Sequence, residues 1–303
     1  MKTTVLKTTT APLYTCSADC HDLRERIDGL IEEVIASSLS TDALAQSLSG
    51  GLAEVGTILR SIPGHEGRLL ERGLAMIARC NPDLVVLTQN LRMPVTPAAL
   101  QLVEKNAPEQ YRSLTLDADH GGRKTYTPDM LILNRRTKLA HVVDVKRSLL
   151  SYESTRIDDL KTRMLAAALV VPDLLYKEHR RLVAEEVRVV ILSGNDRKCD
   201  IEGGIWPFSH LDHLFEISGA GEAIGLLKRR FDARINKNWE QARQVFPRPS
   251  NRRGDPMPAV TMAGEETEPD DEEAEAAGEH AVTAIGNEPR LIKLGFAKVP
   301  VRH

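Results

Sequence analysis

The sequence predicts an α/β protein in which a mixed β-sheet is flanked by helices, with an N-terminal helical element and a disordered acidic C-terminal tail. Three observations support this fold class. Apolar residues recur at helical spacing over residues 18–37. Short runs typical of β-strands, separated by turn residues, follow between residues 113 and 145. Residues 254–289 then contain eleven acidic side chains and no Lys or Arg.

Helical spacing and chain breakers organise the first part of the chain. Residues 61–64, Ser-Ile-Pro-Gly, are expected to interrupt the chain. We therefore separate an N-terminal helical element, residues 1–60, from a core, residues 61–246. Spacing and capping residues predict helices at 18–37, 42–59, 65–79 and 97–105, and a strand at 84–87.

The second part of the core begins with strands separated by turns. The predicted strands are 113–116, 130–133 and 139–145, with turns at 119–122 and 134–137. This pattern is typical of an antiparallel meander. A helix at 154–170, a strand at 187–192 and helices near Leu211 and over 221–245 complete the prediction.

Composition excludes several classes of protein. With 303 residues, of which 42% are hydrophobic and 27% charged, the chain is not a disulfide-stapled miniprotein. No apolar run approaches the roughly 20 residues that cross a bilayer, so no membrane partner is expected. Threonines replace the apolar stretch of a signal peptide, which predicts a cytoplasmic location. Cys16, Cys20, Cys80 and Cys199 form no paired CxxC knuckles and are expected to be free thiols.

The net charge of -3 conceals an uneven distribution. Outside the acidic segment the chain carries 32 acidic and 40 basic residues, a net charge of +8 that would attract a polyanion such as nucleic acid. Residues 247–290 are too poor in large apolar residues to fold and could shield a basic groove or recruit a basic protein partner. Residues 291–303 regain apolar character, as a docking peptide or merely as the end of the chain.

The most informative segment is residues 126–149, YTPDMLILNRRTKLAHVVDVKRSL. Asp144 and Lys146 lie two apart in a predicted strand, so their side chains project from the same face. Two other Asp-X-Lys triplets fail this test, because residues 159–161 lie in a predicted helix and 196–198 in a turn. The turn at 134–137 folds two strands into a hairpin that can bring Asp129 beside Asp144.

This segment resembles the core motif of the PD-(D/E)XK nuclease superfamily, with Pro128-Asp129, fourteen intervening residues, and Asp144-Val145-Lys146. The resemblance implies a restriction-endonuclease-like core of order αβββαβ and a metal-dependent phosphodiesterase. Asp129 and Asp144 would hold Mg²⁺, for which Mn²⁺ can substitute. Lys146 would orient the attacking water or stabilise the developing charge.

Many members of this superfamily take a third acidic ligand from a helix before the meander. In the helix predicted at 65–79, Glu66 shares the inward face with the leucines, which favours it over Glu71. Glu104 is a further alternative, because the predicted strand 84–87 and helix 97–105 depart from the simplest order of the core.

We therefore predict a nuclease, most simply an endonuclease, with DNA rather than RNA as the expected substrate. The alternative is a non-catalytic nucleic-acid-binding or regulatory protein that retains the nuclease fold. Arg135, Arg136 and Lys138 at the hairpin tip, together with Arg147, could contact phosphates or solvate an edge. A homodimer is also compatible with the sequence.

Overall fold

The computed structural model describes residues 14–106, 124–195, 197–245 and 292–300. The strand predicted at 113–116 and the disordered tail predicted at 247–290 lie outside these residues. Among the described helices, none combines the length and the apolarity needed to cross a bilayer.

Helices and strands are interspersed along the described chain. The helices are α1 (Cys20–Ile35), α2 (Thr41–Gly50), α3 (Leu52–Ala78), α4 (Pro97–Lys105), α5 (Ser154–Ala168), α6 (Val171–Glu178), α7 (Leu211–Phe215) and α8 (Ala220–Val245). The strands are β1 (Cys16–Ser17), β2 (Leu84–Leu87), β3 (Met93–Val95), β4 (Lys124–Tyr126), β5 (Met130–Asn134), β6 (Leu139–Lys146), β7 (Glu186–Ser193), β8 (Ile205–Pro207), β9 (Ile217–Ser218) and β10 (Lys293–Phe296).

The main sheet is mixed, as predicted. Its strands lie in the order β10-β7-β6-β5-β2, and β8 also pairs with β7. Strand β5 is antiparallel to both β2 and β6, whereas β6 is parallel to β7. The predicted hairpin of β5 and β6 is therefore confirmed. The other neighbour of β5 is β2, so among the described strands the meander starts at Leu84–Leu87.

Helices cover both faces of this sheet. Strand residues alternate between two hydrophobic cores, because successive side chains point to opposite faces. Met130, Ile132 and Val143 contribute to the core formed with α1, α3 and α8. Leu131 and Val142 contribute to the core formed with α4, α5 and α6. Burial on both faces explains why these strands read as continuous apolar runs.

Helix α3 spans the chain break predicted at 61–64. It runs without interruption through Pro63, so the break predicted at 61–64 is wrong. Pro63 is exposed, while Ile58 before it and Leu70 after it are buried in the same core. Burial of both halves outweighs the backbone hydrogen bond that proline removes. Helices α1 and α2 share this core with the sheet, so residue 60 does not separate two cores.

Glycine divides the helix predicted at 42–59. Helix α2 ends at Gly50 and α3 starts at Leu52. Between them, Gly51 has a φ of 97°, in the left-handed region that a residue without Cβ adopts at little cost. The chain therefore turns where a continuous helix was expected.

The C-terminal peptide adds a strand to the edge of the main sheet. Strand β10 pairs in parallel with the first half of β7, with Lys293 opposite Glu186. Leu294 is buried in one hydrophobic core and Ala297 in the other. The peptide thus docks on the sheet of its own chain and covers backbone groups that would otherwise form an open edge.

Gly204 is expected to be needed for strand β10 to pack in its place at the edge of the main sheet. Its φ is 80°, and a Cβ at this position would lie 2.5 Å from Cδ1 of Phe296. We expect Gly204→Ala to lower the free energy of unfolding by about 1–3 kcal/mol, measured by urea denaturation. Gly295→Ala is the matched control, because a Cβ there meets nothing within 4 Å. Equal urea midpoints for the two variants would contradict this role.

Candidate metal and phosphodiester site

The β5–β6 hairpin brings the two predicted aspartates together. Met130 pairs with Val143, so continuing the antiparallel register places Asp129 opposite Asp144. Directly opposite residues project from the same face of an antiparallel pair. The backbone N–H of Val145 donates a hydrogen bond of 2.5 Å to Oδ2 of Asp129, which ties this carboxylate to the end of β6.

Lys146 and Tyr126 hold the buried carboxylate of Asp144, whose side chain is only 5% exposed. Nζ of Lys146 lies 2.7 Å from Oδ1, as expected for residues two apart in a strand. The Tyr126 hydroxyl donates a hydrogen bond of 2.8 Å to Oδ2. Apart from the ion pair with Lys146, Oδ1 accepts no hydrogen bond from the described residues.

Burial and the like charge of the two aspartates make ionisation of Asp129 unfavourable. Desolvation, followed by the charge of Asp144, raises the pKa of Asp129 to about 7, although the Val145 hydrogen bond and Lys146 oppose the shift. Burial alone would lower the pKa of Lys146, but the adjacent carboxylates outweigh it and the pKa is raised. Lys146 therefore stays cationic at neutral pH, while Asp129 is poised between its two protonation states.

The three glutamates considered as a third ligand have different surroundings in the structure. Burial, together with the charge of Asp144, raises the pKa of Glu71, and the opposing charges of Lys146 and Arg68 do not cancel the shift. Glu66 instead forms ion pairs with Arg147 and Lys228. Glu104 is exposed on α4. The charges of the site thus act on the pKa of Glu71, which the helical projection disfavoured, and the choice of a third ligand stays a prediction.

Helical projection favoured Glu66 over Glu71 by assuming a single inward face, and α3 has no such face. It packs against α1, α2 and α8 as well as against β2 and β6. The sequence analysis also did not predict Tyr126 as part of the site, although Tyr126 is the first residue of the segment 126–149. Its role depends on β4, whose pairing with β3 has no local signal in the sequence.

The residues present fit a hard divalent cation. Within the described ranges, no group of three or more His, Cys, Asp and Glu side chains is arranged to hold a metal ion. Mg²⁺ nevertheless needs only one or two carboxylates, with waters and substrate phosphates completing its shell. Asp129 and Asp144 provide such a pair, and a cation would offset both the burial and the charge of Asp144 that raise the pKa of Asp129.

A lysine of another Asp-X-Lys triplet and two of the cations at the hairpin tip form ion pairs elsewhere in the structure. Lys161 forms an ion pair of 3.6 Å with Asp200, while Asp196 lies outside the described residues. At the hairpin tip, Arg136 pairs with Asp83 and Glu216, and Lys138 pairs with Glu185. These tip residues follow the far end of β5, away from Asp129.

Comparisons with protein-family models, curated proteins and solved structures give no match for this chain.

Tyr126→Phe is expected to lower the free energy of unfolding by about 1–3 kcal/mol at pH 8 without divalent cations, because Oδ2 of buried Asp144 loses its hydrogen-bond donor. Urea denaturation measures this loss. Tyr176→Phe, at a half-exposed position on α6, serves as the control for removal of a tyrosine hydroxyl. A Tyr126→Phe protein as stable as the wild type would contradict the proposed support of Asp144.

Proposed function

We propose that this protein is a metal-dependent nuclease that hydrolyses phosphodiester bonds, with DNA as the expected substrate. One observation carries the proposal: Asp129, Asp144 and Lys146 converge at one end of a buried hairpin. Paired carboxylates beside a lysine combine metal ligation with a fixed positive charge, which phosphodiester hydrolysis requires.

The strand order supports this proposal. Taken along the chain, α3, β2, β5, β6, α5 and β7 read αβββαβ, with an antiparallel meander followed by a strand parallel to its last member. This is the order expected of a restriction-endonuclease-like core. Strand β3, helix α4 and strand β4 form an excursion between β2 and β5, and the short helix α6 is an addition between α5 and β7.

Each residue has a distinct role in the proposed reaction. When bound, Mg²⁺ would supply Lewis acidity to the scissile phosphate and lower the pKa of water. Asp129 and Asp144 would hold it, and Glu71, on whose pKa the charges of Lys146 and Asp144 act, is our candidate for a third acid. Because Lys146 stays protonated, it would stabilise the charge that develops on the phosphate or orient the water, rather than accept a proton.

A non-catalytic nucleic-acid-binding protein is the second candidate. The absence of a three-ligand metal group among the described residues favours it. The buried Asp144–Lys146 pair argues against it, because a binding module gains nothing from the cost of desolvating two charges at this position. Cytoplasmic location, a homodimer and a partner for the acidic tail stay predictions.

Cleavage assays distinguish the two candidates. Purified protein is incubated with supercoiled plasmid, linear duplex, single-stranded DNA and RNA, each with Mg²⁺, Mn²⁺ or EDTA. The proposal predicts nicking or linearisation of plasmid with either metal and none with EDTA. Asp144→Asn should abolish cleavage, whereas Asp232→Asn, at an exposed position on α8, should not. Metal-independent binding without cleavage of any substrate would favour the binding module.

A further inference from the structure

A polar cleft lies beside the candidate site. It is open, has a volume of about 460 Å³, and lies where the loops after β6 and β7 meet α3 and α8. Charged and hydrogen-bonding side chains line it: Glu66, Arg147, Ser148, Ser151, Asn195 and Lys228. Arg147 directly follows Lys146 in the chain, so the cleft and the candidate site share the carboxyl end of β6.

The centre of this cleft is a carboxylate between two cations. Oε2 of Glu66 lies 3.8 Å from Nε of Arg147, and Oε1 lies 3.5 Å from Nζ of Lys228. Each oxygen therefore faces a different cation at a distance too long for a strong hydrogen bond. The side chain of Glu66 is 17% exposed, against 50% for Arg147 and 29% for Lys228, so the cations remain open to a ligand.

This arrangement matches a phosphodiester. A phosphodiester carries one negative charge and two non-bridging oxygens, as the ionised carboxylate of Glu66 carries one charge on two oxygens. Arginine, lysine and hydroxyl side chains are the usual protein contacts to backbone phosphates. Gly194 contributes to the floor of the cleft, where a Cβ would lie 2.7 Å from the carbonyl oxygen of Arg147.

We propose that this cleft is a subsite for a non-scissile phosphate of the nucleic-acid substrate, and that Glu66 is the internal anion that this phosphate displaces. The proposal rests on the proposed nuclease function for the identity of the substrate. It assigns Glu66 to the control of substrate affinity instead of metal ligation. A strand crossing the sheet edge would place one phosphate near Lys146 and another between Arg147 and Lys228.

Binding measurements with Glu66→Gln test this assignment. The probe is a fluorescent 20-base-pair DNA duplex in EDTA, with affinity measured by anisotropy over a series of salt concentrations. Removing the internal anion should tighten binding roughly three- to ten-fold, and the salt slope should increase by about one. Arg147→Ala and Lys228→Ala should each weaken binding and reduce the slope by about one. Glu240→Gln removes the same charge from the exposed Arg243 ion pair on α8 and is the matched control.

Calorimetric Mg²⁺ titration of Glu66→Gln completes the test, with circular dichroism as the check on folding. Unchanged Mg²⁺ affinity together with tighter DNA binding supports the subsite. Loss of Mg²⁺ binding in Glu66→Gln would make Glu66 a metal ligand and overturn it. Wild-type DNA affinity in all three cleft variants would also overturn it, and the nuclease function would stand if the wild type still cleaves. A wild type that neither binds nor cleaves nucleic acid overturns both proposals.

Discussion

Lys146→Ala is expected to slow cleavage by about two to three orders of magnitude while changing Mg²⁺ affinity little. The lysine is no ligand for a cation, but it is the fixed positive charge beside the two aspartates. Removing one preorganised electrostatic group from a transition state costs about 10²–10³ in rate. Its raised pKa means that this charge is present throughout the neutral range.

Single-turnover cleavage and calorimetric Mg²⁺ titration measure the two effects separately. Lys237→Ala, at an exposed position on α8, controls for the loss of one positive charge from the protein. Because Lys146 is also the partner of a buried carboxylate, unfolding curves must be recorded and the assays run below the lower melting temperature. A Lys146→Ala protein that cleaves as fast as the wild type would place the activity at another site.

Asp129→Asn is expected to abolish cleavage and to make the metal-free protein more stable at pH 8. The amide keeps an oxygen that can accept the N–H of Val145, but it removes a buried charge that Asp144 repels. A pKa of about 7 in the folded protein, against an ordinary value of 3.8, corresponds to a cost on the order of 4 kcal/mol for ionising Asp129 at pH 8, so removing this charge should gain a few kcal/mol. Such a gain would raise the melting temperature by roughly 5–10 °C.

The sign of the pH dependence follows from proton binding. Between pH 3.8 and 7 the folded wild type binds more protons at Asp129 than the unfolded chain does, so this group lowers stability as pH rises. The advantage of Asp129→Asn should therefore be full above pH 7 and shrink towards pH 4, where the wild-type carboxyl is neutral too.

Thermal unfolding at pH 5 and pH 8 measures this difference, with Asp232→Asn as the exposed control. Adding Mg²⁺ at pH 8 should raise the melting temperature of the wild type and leave Asp129→Asn unchanged, because a ligand stabilises only the form that binds it. Equal stability of the two proteins at pH 8 would mean that Asp129 is not destabilised by burial beside Asp144.

The local elements around the site could be predicted from the sequence because their signals are local. Apolar runs bounded by a polar turn predicted the hairpin of β5 and β6, and the structure confirms it. The period of two in a strand was enough to place Asp144 and Lys146 on one face. Helices α4, α5 and α8 and strand β7 also lie where spacing and caps predicted them.

Pairings between distant segments depended on the tertiary structure. Strand β2 flanks β5 although β3, α4 and β4 lie between them in the chain, and β10 joins β7 from a distance of about 100 residues. Strand pairing depends on which backbone edge is left open and which apolar surface is left uncovered, and neither is encoded within the strand itself.

Helix α3 was predicted in part from local spacing and depended in part on tertiary packing. Its apolar spacing predicted helix on each side of residues 61–64, but only packing against α1, α2 and α8 explains why it continues through Pro63. The same packing surrounds α3 on several sides, so projection alone could not decide between Glu66 and Glu71.

By itself, the sequence determined that two aspartates and a lysine would meet at the end of a hairpin. The tertiary structure decided that Glu66 lies between Arg147 and Lys228 and that the charges of Lys146 and Asp144 act on the pKa of Glu71, because both depend on the charges that neighbouring elements bring to each side of the helix.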